Sequence, residues 1–361
     1  MGHPAHYHLF RNTIHSLESL GCKVLVLIKK KDILEELISK SGFEYININP
    51  EGRTDNKIGI ITSLLKREWE FFKVVRKFKP EIMVGTSAEI THIGKLMNIP
   101  SIVVNEDDAE VVPMFAKVAY PFASTILAPT CTSTGKWKGK KTSYNSLHEL
   151  AYLHPDHFKA NPEHAEPFLS RGKFFIIRFA KLTAHHDDGR SGISDLLAEK
   201  IIDILKPHGQ VIISSERPLS SALEVYREAL DPNHMHSLLS FADLYIGDSQ
   251  TMAAEAAVLG TPSVRFNDFV GEIAYLDELE HLFGLTTGIS ARSPEKLLTF
   301  LTEFVSRDQI KPEYESKRQV LLEQRFNSAD FFTWFIFNYP QSKSLSDSNS
   351  NYYETKVLRK N

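Results

Sequence analysis

Short β-branched runs recur along this chain, each separated from the next by a stretch long enough for a helix. In the first half Val24–Ile28, Glu44–Ile48, Ile82–Gly85, Ser101–Val104 and Thr125–Ala128 read as strands. Between them 32–40, 57–79 and 88–97 carry helical patterns, the second stopped by Pro80. The second half repeats the scheme with strands at Phe174–Phe179, Val211–Ser214, Leu244–Gly247 and Ser263–Phe266. Helical patterns occupy 193–205, 233–241, 250–259, 293–306 and 312–325, followed by an aromatic one at 329–338. Antiparallel neighbours can be joined by two residues, whereas parallel strands need a crossover of a dozen or more. The alternation therefore predicts βαβ units wound right-handedly into parallel sheets. At 361 residues the chain exceeds one ordinary core. The expected fold class is α/β, two Rossmann-like domains facing an interdomain cleft.

From about Pro129 to Gly172 the alternation lapses into a segment rich in Lys, Thr, Ser, His and Pro that ends in PEHAEP. It reads as loop and interdomain connection. The expected division is an N-terminal domain over 1–165 and a C-terminal domain over 166–325. A helix at 326–340 would return to the first domain, and the polar, serine-rich 341–361 would stay disordered. Residues 5–20 read as a helix with no strand before it. Either a first strand that would deliver the GHPAH loop is missing from the N-terminal domain, or the sheet begins at Val24.

The formal net charge of -3 gives no support to a nucleic-acid partner. Two cysteines, Cys22 and Cys131, suit a reducing compartment rather than a disulfide framework. No run approaches the ~20 apolar residues of a membrane span, and MGHPAHYHLF lacks a signal-peptide pattern. A soluble, cytoplasmic protein is expected. Basic and aromatic residues around Phe115–Phe122 suit either a core helix or peripheral contact with a membrane-linked acceptor.

Of the local motifs, GDSQTMAAEAAVLGTP (247–262) carries the most chemistry. An apolar strand meets Gly247; Asp248, Ser249 and Thr251 are good helix caps; an Ala-rich helix then runs to Gly260. Free amides and the positive helix end make a seat for phosphate, with Gln250 in the same turn. Glu255 lies one turn past Thr251, where a carboxylate can hold ribose hydroxyls or form a structural ion pair. A second cluster is Arg178 with the following LTAHHDDGRSGIS, in which His185, His186, Asp187 and Arg190 are candidates for phosphate contact or proton transfer. The third is SSERPLS, where Ser215 and the planar fork of Arg217 suit phosphate oxygens, unless Glu216 pairs with Arg217. At the N-terminus His3, His6 and His8 surround a turn shaped by Gly2 and Pro4. His6 is a candidate general base, and no Cys or HExxH partner completes a zinc site. Asn105 and Glu106 in NEDDAE follow a strand end and are candidates for the cleft or for capping.

Taken together these stretches resemble the GT-B superfamily, the two-Rossmann architecture of many nucleotide-sugar glycosyltransferases and of the non-hydrolysing UDP-N-acetylglucosamine 2-epimerases. Within it, the chain resembles an uncharacterised family, the domain of unknown function numbered three-five-four. GHPAHYHLF, NEDDAE, HELAYLHP, RFAKLTAHHDDGRSGIS, ISSERPL and the run from MHSLL to FVGEI carry the likeness, over residues 2 to about 290. The epimerase T-x-H-R pattern is echoed at Thr183–His186, which implies a functional His185, with His186 in the arginine's place. Their G-D-S-G-G-x-x-x-E pattern is echoed from Gly247 to Glu255, implying Ser249 and the next amides at a diphosphate and Glu255 at the ribose. Gln250 and Thr251 replace the two glycines, which let a backbone approach a diphosphate most closely. The resemblance also implies a strand before GHPAH.

What it implies for function is a glycosyltransferase using a nucleotide-diphosphate sugar, a UDP-sugar first, in surface polysaccharide or glycoconjugate synthesis. The C-terminal domain would hold the donor through Arg178, His186, Ser215, Arg217 and the 247–255 turn. The N-terminal domain would hold an acceptor sugar or lipid-linked glycan, with His3 contacting substrate and His6 or Glu106 as base. No metal and no other cofactor is expected, since a helix N-terminus and cationic groups can stabilise a leaving diphosphate. The alternatives are a nucleotide-sugar epimerase, a metal-dependent hydrolase and a non-catalytic nucleotide-sugar-binding protein.

Overall fold

A computed structural model of the chain describes residues 1–29, 33–49, 57–180 and 192–358. The chain divides into two compact units, Met1–Tyr152 with Phe326–Asn361, and Leu153–Arg325. In chain order the first unit holds α1 (Pro4–Ser19), β1 (Val26–Ile28), α2 (Leu34–Ser41), β2 (Tyr45–Asn47), α3 (Lys57–Phe78) and β3 (Met83–Gly85). It continues with α4 (Ala88–Met97), β4 (Ser101–Val104), α5 (Pro113–Ala119), β5 (Thr125–Pro129) and β6 (Lys141–Tyr144). The second unit holds α6 (Glu166–Leu169), β7 (Phe174–Phe179), α7 (Asp195–Leu205), β8 (Gln210–Ser215), α8 (Ser221–Glu224), α9 (Met235–Phe241) and β9 (Leu244–Gly247). After these come α10 (Gln250–Val258), β10 (Ser263–Phe266), α11 (Ala274–His281), β11 (Thr286–Ile289), α12 (Pro294–Val305) and α13 (Ile310–Gln324). The chain then re-enters the first unit with α14 (Ser328–Phe337) and α15 (Gln341–Ser348).

Every strand pair is parallel. In the second unit the order is β11-β10-β9-β7-β8. Read from β8 this is 2-1-3-4-5, a doubly wound sheet whose order reverses between β7 and β9. Both faces are covered, which is why FFIIRF in β7 is apolar almost throughout rather than alternating. Ile177, Ile213, Ile246 and Val264 pack on one face with Ile201 of α7 and Leu301 of α12. The first unit is split into a pair, β1-β2, and a four-stranded sheet, β3-β4-β5-β6. One face of the larger sheet is covered by Phe71 and Val75 of α3, Ile90 and Ile93 of α4 and Ala116 of α5.

Three expectations are corrected. The 129–172 segment is not only connection: β6 pairs in parallel with β5, and the unit boundary falls at Tyr152 rather than at 165. The sequence KTSY has only one β-branched residue, so its strand character comes from the ladder it completes. The tail after Pro340 is not disordered as far as Leu358: α15 is followed by a π-helical turn at Tyr353–Val357. Tyr353 is 5% exposed and packs against Phe326, Phe331 and Trp334, and Lys343 pairs with Asp347 one helical turn later. α11 and β11 were not anticipated.

Helix α14 is held by its own start. Asn327 caps it through the Ala329 amide at 3.0 Å, and the Ser328 hydroxyl donates to the Leu147 carbonyl at 2.6 Å. Phe332 and Phe335 are fully buried. The Thr13 hydroxyl of α1 donates to the Ala329 carbonyl at 3.5 Å.

Candidate functional sites

In open α/β sheets ligands bind beyond the carboxyl ends of the strands, where the strand order reverses. In the second unit that point lies between β7 and β9, with Arg178 in register with Gly247. Gly247 is required for space: a Cβ there would lie 2.4 Å from the Tyr245 hydroxyl and 3.0 Å from the Arg178 Cβ. Ser249 is the N-cap of α10, its hydroxyl accepting from the Met252 amide at 3.4 Å. Gln250 and Thr251 form the first turn, where helix amides have no intrahelical acceptor.

Two guanidinium groups stand at this edge. Arg178 donates to the Ser214 hydroxyl at 2.6 Å and is ion-paired with Glu216. Arg217 pairs with Asp195 at 2.7 Å, donates to the Ile193 carbonyl at 3.1 Å and lies 4.4 Å over the Phe179 ring. Glu216 therefore serves Arg178, not Arg217. Ser215 shapes the turn between them, its hydroxyl donating to the Arg217 carbonyl at 2.7 Å and accepting from the Arg217 amide at 3.1 Å. Arg227 clamps the same turn through the carbonyls of Ser215 and Arg217.

Asp248, read in the sequence as a helix cap, is used differently, and His236 went unnoticed there. Asp248 is 4% exposed. Its carboxylate accepts from the Ala180 amide at 2.6 Å, and burial pushes its pKa up to about 6. Its carbonyl accepts from the fully buried Asn267 at 3.3 Å, which ties the ends of β7, β9 and β10 together. His236 of α9 lies 3.1 Å from the Glu255 carboxylate, with Phe158 edge-on to its ring. Glu255 is 6% exposed, and this contact with His236 fixes one oxygen of its carboxylate. The only sequence signal for His236 is a histidine on a helix just before the Gly247 strand. His185, His186, Asp187 and Arg190 lie outside the described residues.

In the first unit polar residues stand at the N-terminus and past the carboxyl ends of β3, β4 and β6. His3 caps α1 by accepting from the Ala5 amide at 3.2 Å. The His6 ring accepts from the Gly2 amide at 3.1 Å and lies 2.9 Å from the Thr86 hydroxyl just past β3. His8 packs between the rings of Tyr7 and Tyr152. Glu106 lies 3.2 Å from Nδ1 of His148, and its carbonyl accepts from Thr132 at 2.7 Å. His148 is buried beside Tyr144 and Phe332, and desolvation lowers its pKa to about 4. Glu149 beside it is 1% exposed. Neither was singled out in the sequence, although HELAYLHP contains both. Asn105 turns inward to the Asp107 carbonyl and the Tyr120 hydroxyl, a structural role.

Among the described residues the N-terminal histidines do not gather as a metal-binding group. The one group of that kind is Asp277, Glu280 and His281. The fully buried Arg265 guanidinium sits 2.7 Å from Glu280 and 3.9 Å from Asp277, filling the place of a cation. No helix among the described residues is long and apolar enough to cross a membrane.

A sequence comparison with curated proteins finds no match. Solved structures do match along nearly the whole length. A Methanocaldococcus jannaschii UDP-GlcNAc 2-epimerase in complex with UDP-GlcNAc and UDP is 14% identical, with a TM-score of 0.61 over 88% of this chain and 97% of that one. The S. aureus MnaA–UDP structure is 13% identical, with a TM-score of 0.62 over 98% and 95%. CalG4, the calicheamicin glycosyltransferase, is 10% identical, with a TM-score of 0.55 over 92% and 96%. At such identities the likeness is one of fold: two Rossmann-like domains of the kind glycosyltransferases and 2-epimerases share. The family model described as protein of unknown function DUF354 matches residues 1–277, and the chain belongs to that family.

Proposed function

We propose that this protein is a metal-independent transferase that uses a nucleotide-diphosphate sugar, a UDP-sugar first, and passes the sugar to a hydroxyl acceptor such as a glycan or lipid-linked glycan. The observation that carries the reading is the β7–β9 switch point. There a capped helix start (Ser249, Gln250, Thr251) stands at one sheet edge with the guanidinium groups of Arg178 and Arg217. Helix amides and planar cations suit a diphosphate at any base or sugar, and the solved folds that resemble this one include proteins bound to UDP and UDP-GlcNAc.

In the proposed reaction the bond from the sugar anomeric carbon to the diphosphate breaks and a bond to the acceptor oxygen forms. The diphosphate leaves with the electron pair, and its new charge is met by the α10 amides and the two arginines. Glu255, oriented by His236, is assigned to the ribose. The acceptor proton goes to a general base, for which His6 and Glu106 are the candidates, with His3 as a candidate contact to substrate.

The test is release of UDP from UDP-sugars with and without a panel of acceptor glycans, in the presence and absence of a chelator. Acceptor-dependent, chelator-insensitive release supports the transferase. Turnover to an isomeric sugar without acceptor would instead make the protein an epimerase, the reading favoured by the spacing of Gly247, Ser249 and Glu255. Activity abolished by the chelator overturns both.

A further inference from the structure

In the second unit Asp248 stands directly before α10, yet the N-cap hydrogen bond of that helix is made by Ser249. The Asp248 carboxylate serves other segments. It accepts from the Ala180 amide at 2.6 Å, one residue past β7, and from the Ile193 amide, two residues before α7. Its own amide donates to the Arg178 carbonyl at 3.4 Å, and its carbonyl accepts from Asn267 at 3.3 Å. The residue is 4% exposed, and a carboxylate so buried needs hydrogen bonds in place of its water. The chain is shaped to reach it: a Cβ on Gly192 would lie 2.9 Å from the Asp248 Cβ and nearer still to a carboxylate oxygen.

Both gripped peptides lead to Arg217. The Ile193 carbonyl accepts from the Arg217 guanidinium at 3.1 Å, while the Ile193 side chain, 3% exposed, is held in the apolar core with Ile177 and Leu197. Ala180 follows Phe179, the fully buried ring over which the same guanidinium lies at 4.4 Å. Asp195 pairs with that guanidinium at 2.7 Å and also accepts from the Ser220 amide at 3.0 Å. An ion pair fixes where the charge sits; the ring and the carbonyl fix the plane of the fork. Arginine meets phosphate oxygens through parallel N–H bonds, so that plane matters as much as the charge.

We infer that Asp248 is a positioning residue for Arg217: by gripping the Ala180 and Ile193 amides it sets the ring and the carbonyl that aim the guanidinium at a phosphate group. That Arg217 meets a phosphate rests on the nucleotide function proposed above; the grip does not. Asp248 touches no ligand in this role. Arg178, the other cation of the edge, is held separately by Ser214 and Glu216.

Two variants of the full chain test it. Asp248→Asn replaces one acceptor oxygen by a donor, and Gly192→Ala forces the Ile193 peptide away from a carboxylate that keeps its charge. Amide exchange is measured above pH 6, where Asp248 is ionised, and UDP is then titrated into each variant with and without Arg217→Ala. Ile193 is expected to exchange at least about tenfold faster in both variants, with Ile246 and Val264 of the neighbouring strands unchanged. UDP affinity is expected to fall about 5–20-fold in each variant, and by less than about twofold where Arg217→Ala is already present. Unchanged exchange at Ile193, or acceleration of all three amides alike, overturns the inference, as does an equal loss of affinity with and without Arg217. A wild-type protein that binds no UDP overturns the nucleotide function instead, and Ile193 exchange then decides the grip alone.

Discussion

At the scale of single residues, the second unit's switch point rests on contacts with little tolerance. A methyl group on Gly247 meets the Tyr245 hydroxyl and the Arg178 Cβ within 3.0 Å. Gly247→Ala should therefore cost about 1–3 kcal/mol by overpacking, read as a lowered denaturant midpoint, and should weaken nucleotide binding because Arg178 is displaced. Two buried titratable groups give opposite pH signatures. Asp248 has a folded pKa raised to about 6, so the native state holds its proton longer than the unfolded chain, and stability falls as pH rises from about 4 to 6. His148 has a folded pKa lowered to about 4. Its contribution is present above the unfolded value of about 6.5 and is lost as pH falls through 4. Each effect is on the order of 3 kcal/mol and the windows overlap, so the wild-type curve partly hides both. Urea unfolding between pH 4 and 7 should separate them. Relative to wild type, Asp248→Asn should gain stability toward pH 7, and His148→Gln should gain toward pH 4. Parallel curves for all three proteins would contradict the assignments.

At the scale of elements, most of the α/β alternation was legible because strand and helix leave different periodicities, and because Gly and Pro mark their ends. β9 and α10 form where GDSQTMAAEAAV predicts them. The hydroxyl that caps α10 is that of Ser249, so Ser249→Ala should cost about 1 kcal/mol, measured by thermal melting. β6 was illegible because KTSY has no apolar run of its own and gains its partner 15 residues earlier in β5. The tail was illegible because its polar, serine-rich helix is recruited by one buried aromatic, Tyr353, against the rings of α14. The same long-range packing hid His236 and His148, whose partners Glu255 and Glu106 lie 19 and 42 residues away. Phe332 at the centre of α14 is fully buried; Phe332→Ala should cost about 3–5 kcal/mol and loosen the histidine it covers.

At the scale of the whole molecule, one chain carries two parallel-sheet units, each with polar residues gathered at the carboxyl ends of its strands. The proposed function gives the nucleotide to the second unit. Its central claim is that the β7–β9 edge binds a nucleotide diphosphate, and calorimetric titration with UDP and UDP-sugars tests it most directly. Binding to the wild-type protein is predicted, with affinity reduced about 10–100-fold in Arg178→Ala, the loss of a charge-assisted contact worth about 1.5–3 kcal/mol. Absence of heat with every nucleotide and nucleotide sugar, or equal affinity in the folded Arg178→Ala variant, would contradict it.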